Sequence, residues 1–114
     1  MPYLSIQTNV GIEKEQSQAL VEKASGIVSS LLGKSENYVM VSIGPTTAMC
    51  FAGNSQPCAY LELKSIGLPE DDTGELSGAL CDLINSELGI STDRIYIEFA
   101  NAERHMWGWN STTF

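Results

Sequence analysis

The chain repeats itself. An apolar stripe at Leu20, Ala24, Ile27, Val28 and Leu32 recurs 56 residues later as Leu76, Leu80, Leu83, Ile84 and Leu88. Both stripes follow the i, i+4, i+7, i+8 spacing of one buried helical face. Each predicted helix stops at a glycine, Gly33 and Gly89, the residue that best tolerates the left-handed backbone of a helix end. A β-branched strand then follows in each copy, over residues 39–43 and 95–99. A strand also precedes each helix, over residues 2–8 and 58–64. This last match is poorer. The first strand puts its apolar residues at even positions (Leu4, Ile6) and the second at odd ones (Leu61, Leu63).

Duplication of this kind restricts the architecture. A βαβ unit lays its helix on one face of a sheet, with a fixed crossover hand. Two units predict an α+β fold, a tandem βαβ repeat with a four-stranded mixed sheet and both helices on one face. At 114 residues the chain is one domain, 1–114, with halves of about 2–57 and 58–113. Alternation sets Val39, Val41, Ile43, Ile95, Ile97 and Phe99 on one sheet face and Tyr38, Met40, Ser42, Tyr96 and Glu98 on the other. The second set is too polar for a dry core and too aromatic for an ordinary solvent face. It suits a subunit interface with polar pockets. The segments 44–47, 51–57 and 65–69 read as turns and links. Glu70, Asp71 and Asp72 stand where the second helix dipole favours negative charge. Trp107, Trp109 and Phe114 in the tail call for burial against the body or a neighbouring subunit.

Fourteen acidic residues against six basic ones leave a net charge of −8. Such a surface lacks the cationic footprint that nucleic acid requires, and it is as poorly suited to an anionic membrane. No apolar run has membrane-spanning length, and no cationic and apolar leader opens the chain. A cytoplasmic location is the expectation. Cys50, Cys58 and Cys81 are odd in number and lack paired spacing, so no disulfide framework is expected. With one histidine and no Cys-x-x-Cys, no metal site is expected either. Cys81 falls on the second helical stripe, and Cys58 opens a strand.

Met1-Pro2 heads the first strand. Methionine before a small residue is normally trimmed, which would leave Pro2 with a free secondary amine. A free α-amino group titrates near ~8, and burial lowers that value by disfavouring the charged form. Such an amine is a tunable general base.

These features resemble the macrophage migration inhibitory factor family, within the tautomerase superfamily. The resemblance rests on Met1-Pro2, Thr8-Asn9-Val10, Gly33-Lys34, Gln56-Pro57-Cys58-Ala59, Ser65-Ile66-Gly67, the run from Ser91 through Ile97, and Gly108-Trp109-Asn110 before Phe114. It implies a homotrimer with its helices outside a central channel. It also implies an intramolecular oxidoreductase of the phenylpyruvate tautomerase type, acting on α-keto acids without a cofactor. Pro2 matches the catalytic base and acid. Lys34 matches the substrate-binding lysine. Ile66, beside Ser65, matches a pocket-lining isoleucine. Tyr96 matches the tyrosine given by an adjacent subunit. Tyr38, Trp109 and Phe114 match aromatic positions at the rim.

Each residue also has a plainer reading. Lys34 is placed to complement a helix dipole, Tyr96 to pair across a strand, and Ile66 to pack. Two positions depart from the family pattern. Glu98 stands where an asparagine is common; close to Pro2, its carboxylate would raise the proline pKa and repel an anionic substrate. Leu61 replaces the second cysteine of a Cys-x-x-Cys found in some members, so dithiol chemistry is not expected. The alternatives to a tautomerase are a non-catalytic, cytokine-like trimeric interaction protein and a ferredoxin-like binding module.

Overall fold

Strand β1 (Tyr3–Thr8) buries Leu4, Ile6 and Thr8 and leaves the residues between them at least partly exposed. That alternation is the mark of a sheet covered on one face. In the computed structural model, which describes residues 1–114, β1 is central. Strand β2 (Met40–Ile43) pairs with it in parallel, and β3 (Ala59–Ile66) pairs with it antiparallel. Strand β4 (Ile95–Ala102) pairs in parallel with β3, giving the order β2-β1-β3-β4. Both edges of this mixed sheet therefore come from the second strand of a βαβ unit.

The register explains the mismatch in strand parity. Leu4 stands beside Val41, whereas Ile97, which is 56 residues after Val41, stands beside Leu61. The structural equivalent of Leu4 is thus Leu61, an offset of 57. Leu63 likewise corresponds to Ile6. The first unit holds one extra residue between strand and helix, so the side-chain alternation flips in number but not in space.

Helix α1 (Lys14–Leu32) buries Leu20, Ala24 and Val28, and α2 (Thr73–Leu88) buries Leu76, Leu80, Leu83 and Ile84. These side chains meet Leu4, Ile6, Leu61 and Leu63 in one core cluster, so both helices cover the same sheet face. Each fully buried leucine contributes roughly 1.5–3 kcal/mol of transfer free energy. Neither helix has a side-chain N-cap hydrogen bond. Packing of the apolar stripe, not capping, holds them. Gly33 (φ 62°) and Gly89 (φ 68°) end them in the left-handed region. A Cβ at either would touch nothing, so backbone conformation alone favours glycine there.

Three boundaries differ from the sequence reading. Strand β3 begins after Cys58 and continues through Ser65 and Ile66, because Asn101 and Ala102 of β4 extend the ladder beside them. Tyr38 lies in a single 3-10 turn (Glu36–Tyr38) before β2, not on a strand. The tail is a hairpin, β5 (Gly108–Trp109) and β6 (Thr112–Thr113), with Asn110 (φ 52°) and Ser111 (φ 66°) at its two-residue turn. All three cysteines are free: Cys58 is buried, Cys81 packs half-buried against the core, and Cys50 is exposed. No helix is long and apolar enough to cross a membrane.

Candidate active site

The start of β1 opens into a cavity of about 450 Å³. Met1, Pro2 and Tyr3 form one wall, Tyr38 and Met40 a second, and Lys64 of β3 lies across the strand pair. The tail hairpin supplies Trp107, Trp109 and Phe114. Local structure dictates this grouping. The Met40 N–H donates to the Pro2 carbonyl at 3.0 Å, which ties the terminus to the head of β2. Tyr3 and Lys64 are register partners on the open face of the sheet. The Phe114 N–H donates to the Trp107 carbonyl at 3.2 Å and closes the hairpin over the mouth.

Aromatic contacts tie the rim together. Trp109 and Phe114 stack with centroids 5.4 Å apart and 11° between planes. Tyr38 meets both edge-on, at 5.9 and 6.1 Å. Edge-to-face and offset-stacked pairs of this kind contribute about 0.5–1.5 kcal/mol each beyond their burial. Tyr38 and Trp109 nonetheless stay 43% and 52% exposed, so aromatic surface remains open to a ligand.

Pro2, although it lines the cavity, is fully buried. The Met1 α-amine has its pKa lowered from 8.0, first by burial and then by the Lys34 ammonium. Lys34 follows the Gly33 stop, where its N–H donates to the Ser29 carbonyl and its carbonyl accepts from the Ser29 hydroxyl. Its Nζ reaches to 3.9 Å from the place a Cβ on Gly67 would take. No carboxylate lies within 4 Å of that ammonium.

The predicted site residues therefore divide. Pro2, Tyr38, Trp109 and Phe114 line one cavity, and Lys34 stands within electrostatic reach of the terminal amine. Ser65 does not join them. It is fully buried, and its hydroxyl donates to the Ile66 carbonyl at 3.1 Å. Strand alternation turns Ser65 to the core side with Leu61 and Leu63. Ile66 is buried at the end of β3 and adds no surface to the cavity wall.

Tyr96 and Glu98 lie elsewhere in the chain. Tyr96 stands beside Tyr60, which stands beside Gln7; Glu98 stands beside Glu62 and so Ser5. With strands ~4.8 Å apart and ~3.3 Å per residue, Tyr96 is about 16 Å from Tyr3 and Glu98 about 12 Å. The Tyr96 ring packs on Phe51 with centroids 4.8 Å apart and stays 63% exposed. Glu98 accepts a hydrogen bond from the Tyr60 hydroxyl at 2.5 Å. That bond, with burial and the charges of Glu98 and Glu62, pushes the Tyr60 pKa up to about 12. Glu98 makes no ion pair, and within the chain it lies away from Pro2.

Sequence reasoning missed Lys64, Trp107 and the role of Arg94. Lys64 shares a strand face with Tyr60 and Glu62, a parity legible in sequence, but its place beside Tyr3 depends on cross-strand register. Arg94 donates to the carbonyls of Phe51, Asn54, Gln56 and Pro57 at 2.9–3.5 Å and lies over the Phe51 ring. Asn9 grips the same loop through Ser55, Gln56 and Cys58. These clamps fix the loop against which Tyr96 packs. No group of three or more His, Cys, Asp or Glu side chains converges as metal ligands would.

The whole chain, residues 1–114, matches the family model for macrophage migration inhibitory factor. A macrophage migration inhibitory factor homolog of Brugia malayi is 39% identical over 116 residues, covering 100% of this chain and 99% of that one. The crystal structure of a homologue from Prochlorococcus marinus superposes with a TM-score of 0.93 at 41% identity, over 98% of each chain. The structure from Trichinella spiralis gives 0.89 at 32% identity, over 98% of this chain and 99% of that one. The full-length family match, the relatives at this identity and the shared mixed sheet with two helices agree: the chain belongs to the macrophage migration inhibitory factor family.

Proposed function

We infer that this protein is a keto–enol tautomerase of aryl pyruvates such as phenylpyruvate, with the Pro2 amine as its base and acid once Met1 is removed. The observation that carries the reading is a buried Pro2 in the wall of an aromatic-lined cavity, next to a terminal amine, that of Met1, whose pKa the surroundings lower. An amine with a pKa near the working pH is mostly unprotonated yet still a competent acceptor. The nitrogen takes a proton from the carbon next to the substrate carbonyl. The C–H pair becomes the enol double bond, and the carbonyl π pair moves to oxygen, which receives a proton. The reverse sequence restores the ketone. The rim aromatics suit the aryl ring. The Lys34 ammonium suits the negative charge that develops on oxygen.

Assembly belongs to the same reading. Tyr96 and Glu98 sit on an edge strand, on an open sheet face that also carries Met40, 66% exposed. In a homotrimer this edge would lie against a neighbour's cavity, which would gain Tyr96 and the Glu98 carboxylate.

The test is a phenylpyruvate enol–keto assay on samples whose intact mass shows Met1 present or absent. With Met1 retained, Pro2 nitrogen is a tertiary amide, and the free amine lies about 3.5 Å further out. A displacement of that size costs on the order of 100-fold or more in proton transfer. Trimmed protein should therefore be active and Met1-retaining protein nearly inactive. Full activity with Met1 in place would exclude Pro2 as the base. Inactivity of trimmed protein would favour a non-catalytic interaction role.

A further inference from the structure

Lys64 is the one basic side chain in the wall of the cavity, and its position is not accidental. Leu61, Leu63 and Ser65 of β3 turn to the helices and are fully buried. Alternation therefore sends Tyr60, Glu62 and Lys64 to the open face, where Lys64 lies opposite Tyr3 and one residue from Pro2. The chain has only six basic residues. Lys23 is bound to Glu87 at 2.6 Å, and Arg94 is committed to loop carbonyls. Lys64 has a single partner, Glu62, at a loose 3.4 Å, with the two side chains 48% and 35% exposed. An exposed pair of this geometry adds little to stability, so its ammonium is available to a competing anion at small cost.

We propose that Lys64 is the specificity-determining residue that binds the carboxylate of an aromatic acid, with Glu62 as an internal competitor that occupies the ammonium until the ligand arrives. The aryl ring lies against Tyr38, Trp109 and Phe114. The carboxylate takes the place of the Glu62 carboxylate on Lys64 Nζ. Lys34, whose charge reaches the terminal amine, is left to the reacting oxygen. The inference rests on the aryl-pyruvate reading for its ligand class and adds the group that selects acids over their neutral counterparts. The Glu62 partner gives it a signature that packing alone would not: the two members of the pair act with opposite signs.

Two probes separate the effects, 3-phenylpropionate and its neutral amide, titrated by calorimetry into Met1-trimmed protein. Wild type should prefer the acid. Lys64→Met should weaken the acid by roughly five- to tenfold and change the amide less than about twofold, whereas Lys64→Arg should keep most of the preference. Glu62→Gln should tighten the acid about two- to threefold by removing the competitor. Binding of neither probe, equal binding of both by wild type, or equal weakening of both in Lys64→Met would overturn the assignment. Phenylpyruvate turnover measured on the same samples keeps the two readings apart. An acid preference that Lys64→Met abolishes, in a protein with no turnover, would sink the tautomerase reading alone. Turnover whose KM ignores Lys64→Met would sink the Lys64 assignment alone.

Discussion

Burial and Lys34 act in the same direction on the terminal amine, and together they set its response to pH. A cation whose pKa is lowered on folding binds fewer protons in the native state between the folded value and 8.0. Stability therefore rises with pH across that window, because the penalty on the charged amine is relieved as it deprotonates. In trimmed protein the same surroundings act on Pro2, which is more deeply buried than Met1. The kcat/KM for phenylpyruvate should climb with pH below ~8 and level off once the base is free. Lys34→Gln should shift that rise to higher pH and also lower the plateau. A profile unmoved by Lys34→Gln would place Lys34 away from the amine. Glu98 offers a second check. Its bond to Tyr60 holds the phenol protonated to about 12, so Glu98→Asn should return the ionisation of Tyr60 toward its ordinary value in an ultraviolet titration. If Glu98 also faces a neighbour's cavity, the same substitution should raise kcat/KM about fivefold, the worth of on the order of 1 kcal/mol of relieved repulsion.

Elements rather than single residues position the cavity. The terminus, the head of β2 and the end of β3 meet because β1 pairs with both neighbours. The 51–57 loop has no regular structure beyond a tight turn in which Phe51 and Asn54 exchange backbone hydrogen bonds. Arg94, in the turn just before β4, and Asn9, at the exit of β1, hold it instead. Arg94→Ala would leave the carbonyls of the loop to water and free the Phe51 ring. Denaturant unfolding should show a loss of about 2 kcal/mol, in the range for charge-assisted hydrogen bonds that are partly exposed. Arg94→Lys should recover little of it, because an ammonium cannot reproduce the spread of guanidinium donors. Wild-type stability in Arg94→Ala would show that Asn9 suffices.

At the scale of the whole molecule, the proposed trimer completes what a protomer leaves open. Light scattering at micromolar concentration should give three times the protomer mass of 12.4 kDa. A stable monomer would leave Tyr96 and Glu98 without a cavity to serve. The tail hairpin is part of the same question. Removing residues 107–114 takes away two of the three rim aromatics and the wall that Trp107 provides. Truncated protein should lose phenylpyruvate turnover by at least tenfold through lost ring contacts. Unchanged kinetics would make the hairpin dispensable.

Local sequence specifies the two helices, the four main strands and the side of the sheet that is buried. Those follow from local periodicity: a 3.6-residue stripe at Leu20 through Leu32, its copy at Leu76 through Leu88, strand alternation, and glycine where the helix must turn left-handed. Met1-Pro2 pointed to a tunable amine for the same reason, since the chemistry belongs to the residue and its position in the chain. The rest comes from how the elements pair. Whether Lys64 or Ser65 shares a cavity with Pro2 depends on strand parity and also on the antiparallel register of β1 and β3, and that register is encoded by no local pattern. The distance from Glu98 to Pro2 depends on strand order. The closeness of Tyr38 to Trp109 and Phe114, more than 70 residues later in the chain, depends on where the hairpin folds back. Periodicity specifies which side of an element is buried. Only the pairing of elements specifies which exposed side chains share a cavity.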